Sequence, residues 1–227
     1  MRLRQSSRAS AIALPVALAG LAAGAVAVPA RLHAQMPGLP VLQNGFASPG
    51  TSLALNFGTA GSDGRTYAGA ASWGPQSRRF QLSIGLGAFT AGGDSWAAYG
   101  LRASVPVASF AQEAVGVAVF GGLGGARRDS LSFARVPLGA GVGWRRSLGG
   151  ERGISVYGAP FFAWSRASVS GHASERVGAF RISAGLDLAV TRTFGVTLGY
   201  EAGASGDDDA PGGSGGLFGL GATYAFR

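Results

Sequence analysis

Residues 80–88, Phe-Gln-Leu-Ser-Ile-Gly-Leu-Gly-Ala, alternate between apolar side chains at even positions and polar residues or glycine at odd positions. Because successive side chains of a β-strand point to opposite faces, this period of two predicts a strand with one apolar face and one small or polar face. The same alternation returns along most of the chain after Gly50, with short turns between the segments. The pattern therefore predicts an all-β, antiparallel fold.

Ten such segments can be placed, and the first two alternate least regularly, so eight strands is the alternative count. Pro160 falls in the middle of the seventh segment, where it has no N–H to donate to a neighbouring strand, and we predict a β-bulge there. The segments are 52–59, 65–73, 79–89, 95–107, 114–124, 133–145, 153–165, 177–190, 194–203 and 216–227.

The composition indicates which face meets the surroundings. Charged residues make up 13% of the chain and glycine accounts for 40 of its 227 residues, whereas ordinary soluble domains carry roughly 25% charged residues. A narrow barrel needs small side chains inside, so the glycine- and serine-rich face suits the interior. We expect a closed transmembrane barrel whose apolar face touches lipid; a secreted soluble barrel with the apolar face inside is the competing class.

Aromatic residues near the strand ends support the membrane interpretation. If odd-numbered strands run outward, these residues form two belts around an aliphatic band, as expected at the two interfaces of a membrane. Short turns at 74–78 and 191–193 would then face the periplasm, and longer loops at 166–176 and 204–215 would face outward. The periplasmic belt comprises Trp73, Phe80, Trp144, Phe194, Tyr224 and Phe226, and the outer belt comprises Phe57, Phe89, Trp96, Tyr99, Trp164, Phe180 and Tyr200.

The N-terminus has the features of a secretory signal peptide. Three arginines within the first eight residues precede the apolar run 11–28, and a small residue, Ala34, offers a cleavage position. Cleavage after Ala30 or an uncleaved membrane anchor are the alternatives. We predict a signal peptide at 1–34, an extended lead-in at 35–50 and a barrel at 51–227, with export through the inner membrane to the bacterial outer membrane.

Charge and cysteine content exclude several function classes. All 19 basic residues are arginine, and they are scattered without a dense run or interleaved aromatic residues, so a nucleic-acid partner is not expected. The absence of cysteine removes disulfides, thiolate metal ligands, a thiol nucleophile and an N-terminal lipid anchor on cysteine.

The C-terminal segment resembles a known group of proteins. Leu217–Phe226 looks like the C-terminal strand of outer-membrane proteins that the barrel-assembly machinery recognises, except that Arg227 follows the final aromatic residue. Val136–Trp144 and Val156–Pro160 are similar to paired strands of the small OmpA/OmpX-like outer-membrane barrel superfamily, and the resemblance spans 51–227. It implies outer-membrane lipid and the assembly machinery as partners. The residues that would carry the assembly signal are Phe218, Leu220, Ala222, Tyr224 and Phe226.

Few residues suggest catalytic or metal chemistry. His172 lies in a serine-rich loop, where it is more simply an exposed polar residue than a catalytic base. Asp207–Asp209 could bind a divalent cation but match no calcium motif, so a solvated acidic loop is the simpler interpretation. Glycine alternates through Gly139–Gly143 without a following helix, which excludes a dinucleotide site. We expect no enzyme activity, metal or cofactor.

Charged residues on the small face give a sharper hypothesis. Folding 177–190 onto 194–203 places Glu201 opposite Ser183 and diagonal to Arg181, within side-chain reach. An arginine–carboxylate cluster of this kind would block a narrow lumen, whereas lining a selective pore is the rival role. The candidate residues are Arg102, Arg181, Asp187 and Glu201.

These features predict a non-enzymatic outer-membrane barrel with a structural or surface-interaction role. A narrow channel for small solutes or apolar molecules is the alternative, and an outer-membrane hydrolase using His172 comes third. The sequence identifies no surface ligand.

Overall fold

The computed structural model of the chain describes residues 48–60, 64–91, 93–128, 131–169, 174–204 and 216–226. The predicted signal peptide 1–34, its cleavage position and most of the lead-in 35–50 lie outside these ranges. Ten strands occupy the described ranges: β1 Gly50–Ala60, β2 Gly64–Gly74, β3 Gln81–Ala91, β4 Asp94–Phe110, β5 Val115–Arg128, β6 Leu131–Gly149, β7 Arg152–Val169, β8 Glu175–Ala189, β9 Phe194–Ala204 and β10 Leu217–Phe226.

The ten strands form one closed barrel. Each strand pairs antiparallel with its neighbours in the chain, and β1 pairs with β10 to close the cylinder. The sheet therefore has no open edge. The predicted closed antiparallel barrel is confirmed with ten strands rather than eight. Across the described ranges, no helix has the length and apolar character needed to cross a membrane.

The alternation of side chains sorts the two faces as predicted. Most large apolar side chains point outward and are well exposed; Leu55 and Leu86, for example, are 73% and 66% exposed. Small side chains point inward, and Ala159 and Ser183 are completely buried. The leucines and valines of this barrel therefore do not form an interior core, which a soluble barrel would require.

The predicted bulge at Pro160 is wrong. Gly139↔Phe161 and Val142↔Gly158 keep one register across it, and the pairing of Pro160 with Ile182 is also regular. The proline therefore interrupts the ladder toward β6 without inserting a residue. Register shifts occur instead in β4, between Pro106 and Ala108 toward β5, and in β6, between Ser147 and Gly149 toward β7.

The wall of the barrel is taller on one side than on the other. Strands β1–β3, β9 and β10 have 10 or 11 residues, whereas β4–β8 have 14 to 19. The predicted long loop 166–176 is wrong, because β7 continues to Val169 and β8 begins at Glu175. Polar residues there remain paired in the sheet, and the predicted loop 204–215 lies outside the described residues except for its first position.

Candidate functional site

The interior of the barrel is narrow enough for side chains from different strands to meet. Ten strands spaced about 4.8 Å apart and tilted about 40° give a cylinder with a backbone radius of roughly 10 Å. Long side chains that point inward from the wall therefore fill much of the cross-section. The candidate site is the set of charged and aromatic residues on this inner face.

Two buried arginines donate hydrogen bonds to one buried carboxylate. Arg135 Nη2 of β6 donates to Glu201 Oε1 at 3.0 Å, and Arg181 Nε of β8 donates to the same oxygen. Arg135, Arg181 and Glu201 are 2%, 4% and 5% exposed. Two guanidinium charges therefore face one carboxylate, which leaves this cluster with a net charge of +1. We call Arg135, Arg181 and Glu201 the interior charge cluster.

The strand register explains how these residues come together. Glu201 lies directly opposite Ser183, so Arg181, two residues away on the same face of β8, is its diagonal neighbour. Arg135 reaches Glu201 of β9 from β6, which is three strands away around the wall. The prediction omitted Arg135, although it lies on the same odd-numbered face of β6 as the glycines Gly139–Gly143. The odd number that Arg135 shares with these glycines predicts that its side chain lies on the inner face.

Arg102 and Asp187 form a second interior group. Arg102 points inward from β4 and interacts electrostatically with Tyr157 of β7 and with Asp187 of β8. Because β4 and β8 are four strands apart, this interaction extends across the bore. The structure thus distributes the four predicted charged residues over two groups: Arg181 with Glu201, and Arg102 with Asp187.

Aromatic residues also occupy the interior, where the composition predicts small residues. Phe120 of β5 and Phe161 of β7 are buried with ring centroids 6.0 Å apart, and the Arg135 guanidinium lies over the Phe161 ring at 5.7 Å. Both rings flank Gly139, which is the register partner of each. A Cβ atom at Gly139 would lie 2.8 Å from the Phe161 Cα. Glycine is therefore required where these rings enter the bore.

Most of the predicted belt residues lie on the exterior. Phe89 and Trp96 differ from the prediction. Phe89 lies on the inward face of β3, as the register partner of the buried Thr66 and of Trp96, and its ring centroid is 6.5 Å from that of Trp96. Trp96 shares the inward face of β4 with Ala98 and Gly100, and its Nε1 is buried. Parity explains the difference, because Tyr99 and Leu101 define the outward face of that strand. The predicted belt residues that are exposed on the outside are Trp73, Tyr99, Trp144, Trp164, Phe180, Phe194, Tyr200, Tyr224 and Phe226; Phe80 packs against Trp73 with ring centroids 5.5 Å apart.

The C-terminal residues Phe218, Leu220, Tyr224 and Phe226 are exposed on the outward face of β10, with Ala222 between them. His172 and Asp207–Asp209 lie outside the described residues, so the structure assigns them no geometry.

No family model matches the chain, and no curated protein matches it. Several solved structures match the chain. The beta domain of the Bordetella autotransporter BrkA is 16% identical, with a TM-score of 0.51 over 79% of this chain and 100% of that one. The translocator domain of the autotransporter NalP from Neisseria meningitidis is 15% identical, covering 78% and 87%, with a TM-score of 0.48. Neisserial surface protein A is 12% identical, covering 78% and 94%, with a TM-score of 0.40.

The closed antiparallel cylinder, its apolar exterior and the similarity to the BrkA beta domain agree on the fold. The chain has the fold of the small outer-membrane β-barrels.

Proposed function

We propose that this protein is a non-enzymatic integral barrel of the bacterial outer membrane, with a structural or surface-interaction role and a lumen blocked by the interior charge cluster. The observation that carries the proposal is the contrast between the two faces of the wall. Leucine, valine and aromatic side chains cover the outside, while the buried charges lie inside.

The height of the apolar exterior supports insertion in a membrane. On the outward face of β7, apolar residues and glycine extend from Ile154 to Trp164, and Arg152 and Arg166 follow at either end. The ten steps from Ile154 to Trp164, at about 3.3 Å each and tilted about 40°, span roughly 25 Å along the barrel axis. That height equals the apolar band of about 25 Å that outer-membrane barrels present to lipid.

The interior charges support a blocked lumen. Arg135 and Arg181 converge on Glu201 from one part of the wall, and Arg102 interacts electrostatically with Asp187 from another. Such interactions across a cylinder of roughly 10 Å radius leave little space for solute and connect strands that are not neighbours. Surface interaction would then depend on the outer rim, and assembly would depend on the outward residues of β10.

Gel mobility tests the membrane barrel. The detergent-extracted, unboiled protein is expected to migrate differently from the boiled sample, because a closed barrel resists detergent denaturation. It should also remain in the membrane fraction after alkaline extraction of cells. Recovery as a detergent-free soluble protein with one gel position would contradict the proposal and favour the secreted barrel.

Conductance in planar bilayers tests the blocked lumen. The natural protein is expected to be silent, whereas a variant carrying Arg135→Ala, Arg181→Ala and Glu201→Ala should conduct steadily. The matched control carries Glu151→Ala and Arg192→Ala, which removes an exposed ion pair at the end of the barrel. Steady conductance of the natural protein would refute the block.

A narrow channel is the second candidate, and one observation favours it. The inward positions Gly199, Gly219 and Gly221 lie side by side on β9 and β10 and place no side chain in the bore. Steady openings in the natural protein, altered by charge reversal at Arg102, would support this candidate. Loss of a lipid- or peptide-cleaving activity on His172→Ala would instead support a hydrolase.

A further inference from the structure

Two arginines lie directly opposite each other on the outside of the wall. Arg166 of β7 and Arg176 of β8 are register partners, and both are exposed on the outward face. Side chains in such positions have Cβ atoms about 4.5–5.5 Å apart, and like charges placed there destabilise the sheet. An anion bound between the two guanidinium groups would offset this repulsion, so the pair favours a bound anion. We call Arg166 and Arg176 the rim arginine pair.

Among the carboxylates whose side chains the structure describes, none forms an ion pair with either member of the rim arginine pair. These carboxylates interact with other arginines. Asp94 pairs with Arg128, Glu113 with Arg78 and Arg145, Glu151 with Arg192, Glu201 with Arg135 and Arg181, and Asp187 interacts with Arg102.

The residues beside the pair place it at the edge of the apolar band. On the same outward face, the next pair toward the middle of the wall is Trp164 opposite Gly178, and the pair after that is Phe162 opposite Phe180. Trp164 and Phe180 are 50% and 54% exposed, and the Phe162 and Trp164 ring centroids are 4.6 Å apart. Aromatic residues of this kind sit at the level of lipid headgroups. The guanidinium groups of the rim arginine pair lie one pair closer to the rim, and thus at the height of headgroup phosphates.

We propose that the rim arginine pair binds the phosphate of a lipid headgroup in the leaflet at that rim. Two planar guanidinium groups side by side can donate several hydrogen bonds to one phosphate, which a single positive charge on a lysine cannot match. The lipid's acyl chains would lie against Phe162, Trp164 and Phe180. This inference rests on the proposed function, because it requires the barrel to be embedded in a bilayer.

Fluorescence quenching by brominated lipids tests the site. The protein is reconstituted in phosphatidylcholine vesicles containing a minor fraction of phosphatidic acid, with bromine on the chains of one lipid or the other. The ratio of tryptophan quenching by the two reports which lipid lies next to the exterior tryptophans. The natural protein is expected to prefer phosphatidic acid, and Arg166→Gln with Arg176→Gln should lower that preference about five-fold or more.

The matched control removes two arginines at the same rim that are not register partners, through Arg65→Gln and Arg127→Gln. Its preference should change less than about two-fold, since it loses the same charge without losing the paired site. Arg166→Lys with Arg176→Lys keeps the charge and is expected to lose part of the preference. Heat-modifiable mobility confirms that each variant is folded.

Four results would overturn the inference. An equal loss in the control would show general attraction to anionic lipid, and an unchanged preference in the paired variant would show that these arginines bind no headgroup. Loss of the preference on adding inorganic phosphate would show a site for free phosphate instead. Absence of quenching by either brominated lipid would refute membrane insertion, and with it both proposals.

Discussion

Glu201→Gln should destabilise the barrel more than any other single change of a carboxylate in the described ranges. The carboxylate accepts hydrogen bonds from both Arg135 and Arg181. The amide keeps the shape and one acceptor oxygen, but the interior charge cluster changes from +1 to +2. Removing one partner of a buried ion pair costs about 3–5 kcal/mol, because it leaves uncompensated charge in a medium of low polarity.

Urea unfolding of the reconstituted barrel, followed by tryptophan fluorescence and gel mobility, measures this loss. The double variant Glu201→Gln with Arg181→Gln returns the cluster to +1 and should recover most of the stability. Glu151→Gln is the matched control; its pairing with Arg192 is exposed, so removing it should cost about 1 kcal/mol or less. A loss below about 1 kcal/mol for Glu201→Gln, or no recovery in the double variant, would refute the reasoning.

Two further predictions concern the backbone. Gly87→Ala should destabilise the folded barrel by about 1–3 kcal/mol, because its Cβ would lie 2.9 Å from the Ala68 Cα. The control Gly69→Ala, whose Cβ would have no atom within 4 Å, should change stability by less than about 1 kcal/mol. Equal urea midpoints for the two variants would contradict this prediction. Gln112 has a left-handed φ of 56° in the turn between β4 and β5, so Gln112→Gly should stabilise the folded barrel by roughly 1 kcal/mol. A urea midpoint below that of the natural protein would show that this backbone is not strained.

The strand ladder was predictable because one physical rule repeats along the chain. A strand between two different environments must alternate, so residues such as Leu82, Ile84 and Leu86 mark both the strand and its outward face. The pairing of Glu201 with its neighbours on β8 followed from the same rule, since a short turn fixes the register of adjacent strands.

The interior was harder to predict because its contents depend on pairs of strands rather than on one strand. Phe120 and Phe161 fit inside because the position between them, Gly139, has no side chain. The position of Trp96 near a strand end predicts the outer belt, but its even number matches that of the inward Ala98. Composition gives the average size of interior residues, and register decides where a large one is accommodated.

Arginine occupies two environments in this barrel, and the apolar band separates them. On the outward face of β7, no charge falls between Arg152 and Arg166, in agreement with a cost of about 2–4 kcal/mol for arginine facing lipid at the midplane. Inside the barrel, at depths where the outside is apolar, Arg135 and Arg181 are retained because they share Glu201. A buried charge of this kind is kept only where a partner is provided, so the wall both excludes charge from lipid and concentrates it in the bore. The interior charge cluster and the rim arginine pair thus follow from one constraint, which is that each guanidinium needs an anion or water within reach.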